Sequence, residues 1–173
     1  MIVIVEGVDR VGKTTLVNML VKEGFKLVKS KKPPFINASR KSETEQAIIS
    51  GIMAVLEVCK YEDIVIDRFH ASELVYGFIE RGEYRLNVIN GGHAAPVRME
   101  EFLYTDDALA KLGAVIAYVR PTNVVSSGIE HGRSLIDHSA MFEQLMAKST
   151  KCTVISGIVT GKQKLFQIGR AHV

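Results

Sequence analysis

The residues best suited to chemistry form a glycine-rich segment near the start of the chain. The segment Gly7-Val8-Asp9-Arg10-Val11-Gly12-Lys13-Thr14 fits the pattern G-x-x-x-x-G-K-[ST] at every fixed position. Two glycines let the backbone bend so that successive N–H groups converge on a phosphate at a helix N-terminus, and Lys13 adds a positive charge. The Thr14 hydroxyl would hold Mg²⁺. The segment therefore predicts the binding of a nucleoside triphosphate.

A second set of polar residues is expected at the same edge of a sheet. The apolar run 64–67 ends on Asp67, and in a parallel sheet this carboxylate would lie beside the phosphate loop as a second magnesium ligand. Arg120 ends another buried strand at that edge, and the polar segment 126–137 suits a movable lid with Arg133 as its permanent cation. Phosphoryl transfer needs positive charge around the transferring group. The candidate catalytic cations are Arg10, Lys13, Arg68 and Arg133.

Strands and helices alternate along the chain, which predicts a doubly wound, parallel five-stranded α/β sheet of the P-loop type. The predicted strands are 1–5, 25–29, 64–67, 114–119 and 152–155. The predicted helices are 15–21, 42–60, 72–80, 97–112 and 139–148. Whether the two aspartates 106–107 interrupt the fourth helix is left open. Ligands in such sheets bind at the carboxyl ends of the strands.

Composition limits the class of protein. The chain has 173 residues, 47% of them hydrophobic, which suits one domain over 1–167. The net charge of +3 gives no electrostatic reason to expect nucleic acid as a partner. No apolar run is long enough to cross a membrane, and Met1 leads directly into a predicted strand. We therefore expect a cytoplasmic protein. Cys59 and Cys152 are expected to be buried, reduced thiols. Residues 168–173 look like a translated sequencing adapter, and we exclude them.

Two motifs carry a resemblance to a known family. Residues 6–15, Glu-Gly-Val-Asp-Arg-Val-Gly-Lys-Thr-Thr, resemble the phosphate loop of thymidylate kinases, within the P-loop kinase superfamily. Residues 67–72, Asp-Arg-Phe-His-Ala-Ser, resemble the D-R-[YF]-x-x-S motif of the same family, at a similar spacing. The following residues look most like compact, virus-encoded members of this group of deoxynucleoside monophosphate kinases. The resemblance reaches from Met1 to about Ser156, but its specific motifs cover only the first half.

The resemblance implies a role for several residues. Lys13 would bind the donor phosphates of ATP, and Thr14 would help to place Mg²⁺. Asp9 would contact the acceptor sugar, Arg68 would bind the acceptor phosphate, and Arg10 would stabilise the transferring group. The expected ATP-binding residues are Gly7, Val11, Gly12, Lys13, Thr14 and Thr15.

The base pocket departs from the family pattern. Thymidylate kinases usually carry an aromatic residue and an arginine in the helix before the D-R-Y strand, and residues 48–56 here have neither. Phe69, Tyr76, Phe78 or Phe35 would then have to stack on the base, although each also suits the core. His70 would either hydrogen-bond a base edge or serve a structural role.

These observations lead to one expected function and two alternatives. The expected function is ATP-dependent phosphoryl transfer to a deoxynucleoside monophosphate, with dTMP as the first candidate. The enzymatic alternative is a deoxynucleoside kinase, for which Glu6 or Asp67 would act as the base, and the other is a nucleotide-binding switch without catalysis. Partners are expected to be small nucleotides, with no nucleic acid and no membrane, and a homodimer is left open.

Overall fold

A computed structural model describes residues 1–8, 11–29, 41–76, 99–121, 129–130 and 133–158. Its elements in chain order are β1 Ile2–Glu6, α1 Lys13–Lys22, β2 Lys26–Lys29, α2 Lys41–Val58, β3 Ile64–Asp67, α3 His70–Tyr76, α4 Met99–Lys111, β4 Val115–Arg120, β5 Ile129–Glu130, β6 Arg133–Ser134, α5 Leu135–Lys148 and β7 Thr153–Ile158. The predicted tail at 168–173 lies outside the described residues.

Five strands form one parallel sheet in the order β2-β3-β1-β4-β7. All five residues of β1 are buried, and the first four form the continuous apolar run that is typical of a central strand in a parallel sheet. The register sets Val5 of β1 beside Asp67 of β3 and Glu6 beside Tyr118 of β4. The predicted α/β sheet is confirmed, and its three central strands end together at the residues that carry the motifs.

The helices cover both faces of the sheet. From β1 the chain passes over β3 to reach β2, and the later connections to β3, β4 and β7 run in the opposite direction across the sheet. Because parallel connections are right-handed, this reversal places α1 on one face and the later helices on the other. Helix α1 packs on β1 and β3, while α3 packs against both α4 and α5. The reversal beside β1 creates the crevice in which such sheets bind ligands.

Two predicted helix starts were wrong, and the interruption left open in the fourth helix does not occur. Helix α3 begins at His70, two residues early, because Glu6 from β1 accepts hydrogen bonds at its N-terminus. Helix α4 continues through Asp106, whose carboxylate is buried with partners rather than ending the helix. Helix α5 begins at Leu135, inside the predicted lid, directly after strands β5 and β6 pair antiparallel.

Two further expectations concern the cysteines and the membrane. Both cysteines are free thiols, and Cys152 is buried as predicted, whereas Cys59 is partly exposed. Within the described ranges, no helix is long and apolar enough to cross a membrane.

Candidate active site

The phosphate loop joins β1 to α1 at the carboxyl edge of the sheet. Gly7 has φ 144°, and a β-carbon built on it would stand 2.5 Å from the carbonyl oxygen of Val119, so only glycine fits there. Gly12 precedes α1 with φ 101° and ψ 17°, a left-handed conformation. Its carbonyl oxygen accepts the Leu16 N–H at 3.1 Å, the first hydrogen bond of the helix. The two motif glycines therefore have the conformational role that the pattern predicts.

Lys13 points into the protein rather than into solvent. Lys13 is only 6% exposed, and its ammonium donates a hydrogen bond to the carbonyl oxygen of Val8 within the loop. Burial lowers the pKa of Lys13 to about 8, although the nearby carboxylates of Glu6 and Asp67 oppose this effect. The ammonium thus lies between the loop and the acidic ends of β1 and β3, where burial strengthens its interactions with charged groups.

Thr14 and Asp67 are the two residues predicted to hold Mg²⁺ through oxygen atoms. Thr14 and Thr15 are exposed in the first turn of α1, and Asp67 is partly exposed at the end of the adjacent strand β3. A hydroxyl and one carboxylate suit Mg²⁺, which prefers oxygen ligands and retains several waters. No group of three or more acidic, histidine or cysteine side chains that could hold a metal occurs among the residues that the structure describes.

Arg68 adopts a conformation that is rare outside glycine. Its φ is 63°, the single positive φ of a non-glycine residue in the described ranges. Its N–H donates to the carbonyl oxygen of Val5 at 3.0 Å, and its guanidinium carbon lies 5.5 Å from the ring centroid of Tyr76. Such strained backbone conformations persist where the surroundings enforce them, and they cluster at functional sites.

Glu6 has a structural role that sequence reasoning missed. The residue is fully buried, and its Oε1 accepts the N–H groups of Phe69 at 2.8 Å and Ser72 at 3.3 Å. Its other oxygen accepts the Ser72 hydroxyl. These contacts explain both the serine of the D-R-F-x-x-S motif and the early start of α3. Glu6 and Ser72 lie more than sixty positions apart in the sequence, so no local pattern marks their contact.

His70 belongs to a buried polar cluster behind the site. Its Nε2 lies 2.9 Å from Oδ1 of Asp106, and its ring stacks on Phe102 at 4.9 Å between centroids. Asp106 also accepts hydrogen bonds from the Thr150 hydroxyl and the Lys151 N–H. Burial favours the neutral acid, but these hydrogen bonds outweigh it and hold the pKa of Asp106 at about 2. The cluster favours the structural alternative for His70.

The aromatic candidates for base stacking differ in exposure. Phe69 is 1% exposed and belongs to the core, which favours the core alternative for this residue. Tyr76 is partly exposed, and its ring lies between Arg68 and the rings of His138 and Phe142 on α5. Substrate contact by Phe69, His70 or Tyr76 stays a prediction. Phe35 and Phe78 lie outside the described residues.

The end of β4 is linked to α5 by an ion pair. Arg120 donates from Nε and Nη2 to the two carboxylate oxygens of Glu143, at 3.0 and 2.7 Å. The buried Tyr118 hydroxyl donates to the same carboxylate at 3.0 Å, and burial raises the pKa of that hydroxyl. Arg120 therefore reaches the predicted edge of the sheet but is engaged by Glu143.

The structure brings Gly7, Gly12, Lys13, Asp67 and Arg68 to neighbouring ends of β1, α1 and β3. Val11, also predicted at the site, is buried at the loop. Asp9 and Arg10 lie outside the described residues. Arg133 is paired through its backbone with Glu130 in the β5–β6 hairpin, but its side chain is not among those described.

Comparison with known proteins supports the fold. No family model matches this chain, and no curated protein sequence matches it. The structure of the YorR protein of Bacillus subtilis in complex with phosphorylated GDP has a TM-score of 0.60 and 19% identity, and the match covers 90% of this chain and 84% of that chain. Deoxyadenosine kinase from M. mycoides with bound dATP has a TM-score of 0.46 and 14% identity, covering 90% of this chain and 91% of that chain. The sheet and the first likeness together support the predicted P-loop type of α/β fold.

Proposed function

We propose that this protein transfers a phosphoryl group from ATP to a deoxynucleoside monophosphate, with dTMP as the first acceptor to test. The observation that supports the proposal is the proximity of Lys13, the first residue of α1, to Asp67 at the end of β3, which Arg68 follows directly. A donor-phosphate lysine, a metal-binding carboxylate and an acceptor-phosphate arginine then lie within one crevice. The resemblance to thymidylate kinases supplies the choice of acceptor.

The residues divide between the two substrates. Gly7, Gly12 and Lys13 would bind the donor phosphates through loop N–H groups and the ammonium, and Thr14 with Asp67 would hold Mg²⁺. Bound Mg²⁺ would neutralise charge on the donor phosphates. On the acceptor side, Arg68 would bind the monophosphate bidentately through its planar guanidinium, and Asp9 would contact the sugar.

Phosphoryl transfer asks for little covalent chemistry from the protein. The monophosphate oxygen that attacks is already ionised at neutral pH, so no general base is required. The protein has only to align the donor and acceptor phosphates and to surround the transferring group with positive charge. Arg10 is assigned to that last task, with Arg133 as the alternative.

A deoxynucleoside kinase is the enzymatic alternative, and it does require a base near a sugar hydroxyl. Glu6 is poorly suited, because both of its carboxylate oxygens accept hydrogen bonds from residues 69–72. Asp67, partly exposed at the crevice, would have to serve. The burial of Glu6 therefore leaves Asp67, which the proposed function assigns to Mg²⁺, as the candidate base for a nucleoside acceptor.

The deciding experiment is a panel assay of purified protein with Mg-ATP. The acceptors are the common deoxynucleosides and their monophosphates, with guanine compounds included because the B. subtilis structure holds a guanine nucleotide. Lys13→Met serves as the inactive control. We expect turnover with a monophosphate and none with its nucleoside. Turnover with nucleosides alone would establish the alternative acceptor, and nucleotide binding without turnover would establish a switch.

The side of the site on which Arg68 acts is tested separately. Arg68→Lys keeps the charge but loses the bidentate geometry, so we expect KM for the monophosphate to rise far more than KM for ATP. Equal effects on the two substrates would move Arg68 to the donor side.

A further inference from the structure

The guanidinium of Arg68 faces the ring of Tyr76, which lies at the other end of helix α3 in the sequence. The guanidinium carbon lies 5.5 Å from the centroid of Tyr76, the last residue of α3. Both residues are partly exposed, so the contact is at the border between the core and the crevice. A cation over an aromatic face within about 6 Å is attracted by the ring quadrupole.

The tyrosine ring is itself held by helix α5. The ring of His138 lies 5.0 Å from the Tyr76 ring, and that of Phe142 lies 6.3 Å away with its edge towards it. His138 and Phe142 are fully buried. Tyr76 therefore presents its ring to Arg68 from a packed support, not from a freely rotating side chain.

The backbone of Arg68 is fixed at the same time. The Arg68 N–H donates a hydrogen bond to the carbonyl oxygen of Val5, and the N–H of the next residue, Phe69, donates one to the carboxylate of Glu6. These two hydrogen bonds hold the backbone on both sides of the strained φ of 63°. An arginine side chain nevertheless has several rotatable bonds, and ordering it has an entropic cost. A fixed ring beside the guanidinium would reduce the number of orientations that the side chain samples.

We propose that Tyr76 is a positioning residue that holds the Arg68 guanidinium ready for the acceptor phosphate. The proposal rests on the proposed function, because it takes Arg68 as the acceptor-binding arginine. It assigns to Tyr76 an action through Arg68, in contrast to direct stacking on the base. We assign this action to the ring face of Tyr76, which Tyr76→Phe would retain.

Two substitutions separate the ring face from the volume it fills. Tyr76→Phe keeps the aromatic face, whereas Tyr76→Leu keeps an apolar side chain without one. We expect Tyr76→Leu to raise KM for the monophosphate by about two- to thirtyfold, the range of a cation–π contact, with KM for ATP unchanged. Tyr76→Phe should retain the wild-type KM. Loss of acceptor binding in Tyr76→Phe equal to that in Tyr76→Leu would overturn the proposal.

A double-mutant cycle separates positioning from direct contact. In an Arg68→Met background there is no guanidinium to hold, so Tyr76→Leu should add less than twofold to the loss. Full additivity of the two substitutions would mean that Tyr76 contacts the acceptor itself, and this result would contradict the proposal. Thermal unfolding of each variant shows whether a kinetic change reflects a folded protein.

A spectroscopic measurement tests the contact without any turnover. In protein labelled with ¹⁵N-arginine, the Arg68 side-chain N–H proton should be shifted upfield by the ring current in wild type and in Tyr76→Phe. It should move to the normal arginine position in Tyr76→Leu. An unshifted resonance in wild type would overturn the positioning contact. If the resonance is shifted but no monophosphate is phosphorylated, the contact stands and the proposed function fails, so the two failures are distinguishable.

Discussion

The α-carbon of Gly7 lies so close to β4 that a β-carbon would stand 2.5 Å from the backbone oxygen of Val119. The backbone of Val119 cannot move aside as the end of a flexible side chain could, so the close contact would remain. The φ of 144° at Gly7 adds strain for any residue with a β-carbon. We expect Gly7→Ala to reduce the free energy of unfolding by roughly 2 kcal/mol or more and to weaken ATP binding. Urea unfolding and nucleotide titration provide the two measurements.

Gly51 provides the matched control for that substitution. It lies in α2, and a β-carbon there would meet no atom within 4 Å. Gly51→Ala should stabilise the protein by up to about 1 kcal/mol through helix propensity. If Gly7→Ala reduced the free energy of unfolding no more than Gly51→Ala does, the loop would not pack on β4 as tightly as the structure shows.

The burial of Lys13 predicts how stability depends on pH. Its pKa is lowered from 10.5 to about 8, so the folded protein releases this proton before the unfolded chain does. Between pH 8 and 10.5 the unfolded state holds more protons, and stability from this group rises with pH. Below pH 8 the buried charge destabilises the fold in full. Lys13→Met should therefore be more stable than wild type at pH 7, by up to about 3 kcal/mol, and the difference should shrink towards pH 10.5.

The control for Lys13→Met is Lys22→Met, at an exposed lysine in the last turn of the same helix. We expect no comparable change in the pH profile. Chemical denaturation of the three proteins at pH 7, 9 and 10.5 gives the comparison. Lys13→Met should also abolish phosphoryl transfer. An unfolded Lys13→Met variant at pH 7 would contradict the predicted gain in stability.

Much of this fold could be predicted from the sequence, because its signals are local. The apolar run of β1, the glycines of the loop and the carboxylate ending β3 appear in short windows, and each lies where expected. The contacts of Glu6 could not be predicted in that way. They join residues more than sixty positions apart, which local patterns do not record. The same reason applies to His70, whose partner Asp106 comes from a different helix.

The strained backbone of Arg68 leads to a prediction of unusual sign. At φ 63° a β-carbon is unfavourable, so the free energy of unfolding of Arg68→Gly should equal or exceed that of Arg68→Ala. The expected difference is up to about 1 kcal/mol. At Ala54, an exposed position of α2, the change from alanine to glycine should instead cost about 1 kcal/mol. Thermal and urea unfolding measure both pairs. A clear advantage of Arg68→Ala over Arg68→Gly would show that the left-handed conformation is not maintained in solution.

The contact between Glu6 and Ser72 predicts coupled effects on stability. Glu6→Gln removes the charge that accepts hydrogen bonds from the start of α3, and we expect a loss of about 1–3 kcal/mol. Ser72→Ala should cost about 1 kcal/mol. Because the two side chains are partners, the double variant should lose less than the sum of the single losses. Strict additivity would exclude a direct interaction.

The last prediction concerns which arginine stabilises the transferring phosphoryl group. Arg10 lies within the glycine-rich motif, and by resemblance to thymidylate kinases an arginine at this position marks members whose catalytic arginine comes from the loop and not from the lid. Arg10→Ala should therefore lower kcat on the order of a hundredfold or more with little change in ATP affinity, as expected for an interaction made mainly in the transition state. Arg133 is the first residue of β6, and Arg133→Ala should lower kcat by about tenfold or less. Steady-state kinetics of the two variants, with ATP binding measured separately, decides between them. A severe defect in Arg133→Ala beside an unaffected Arg10→Ala would place the catalytic charge on the hairpin instead.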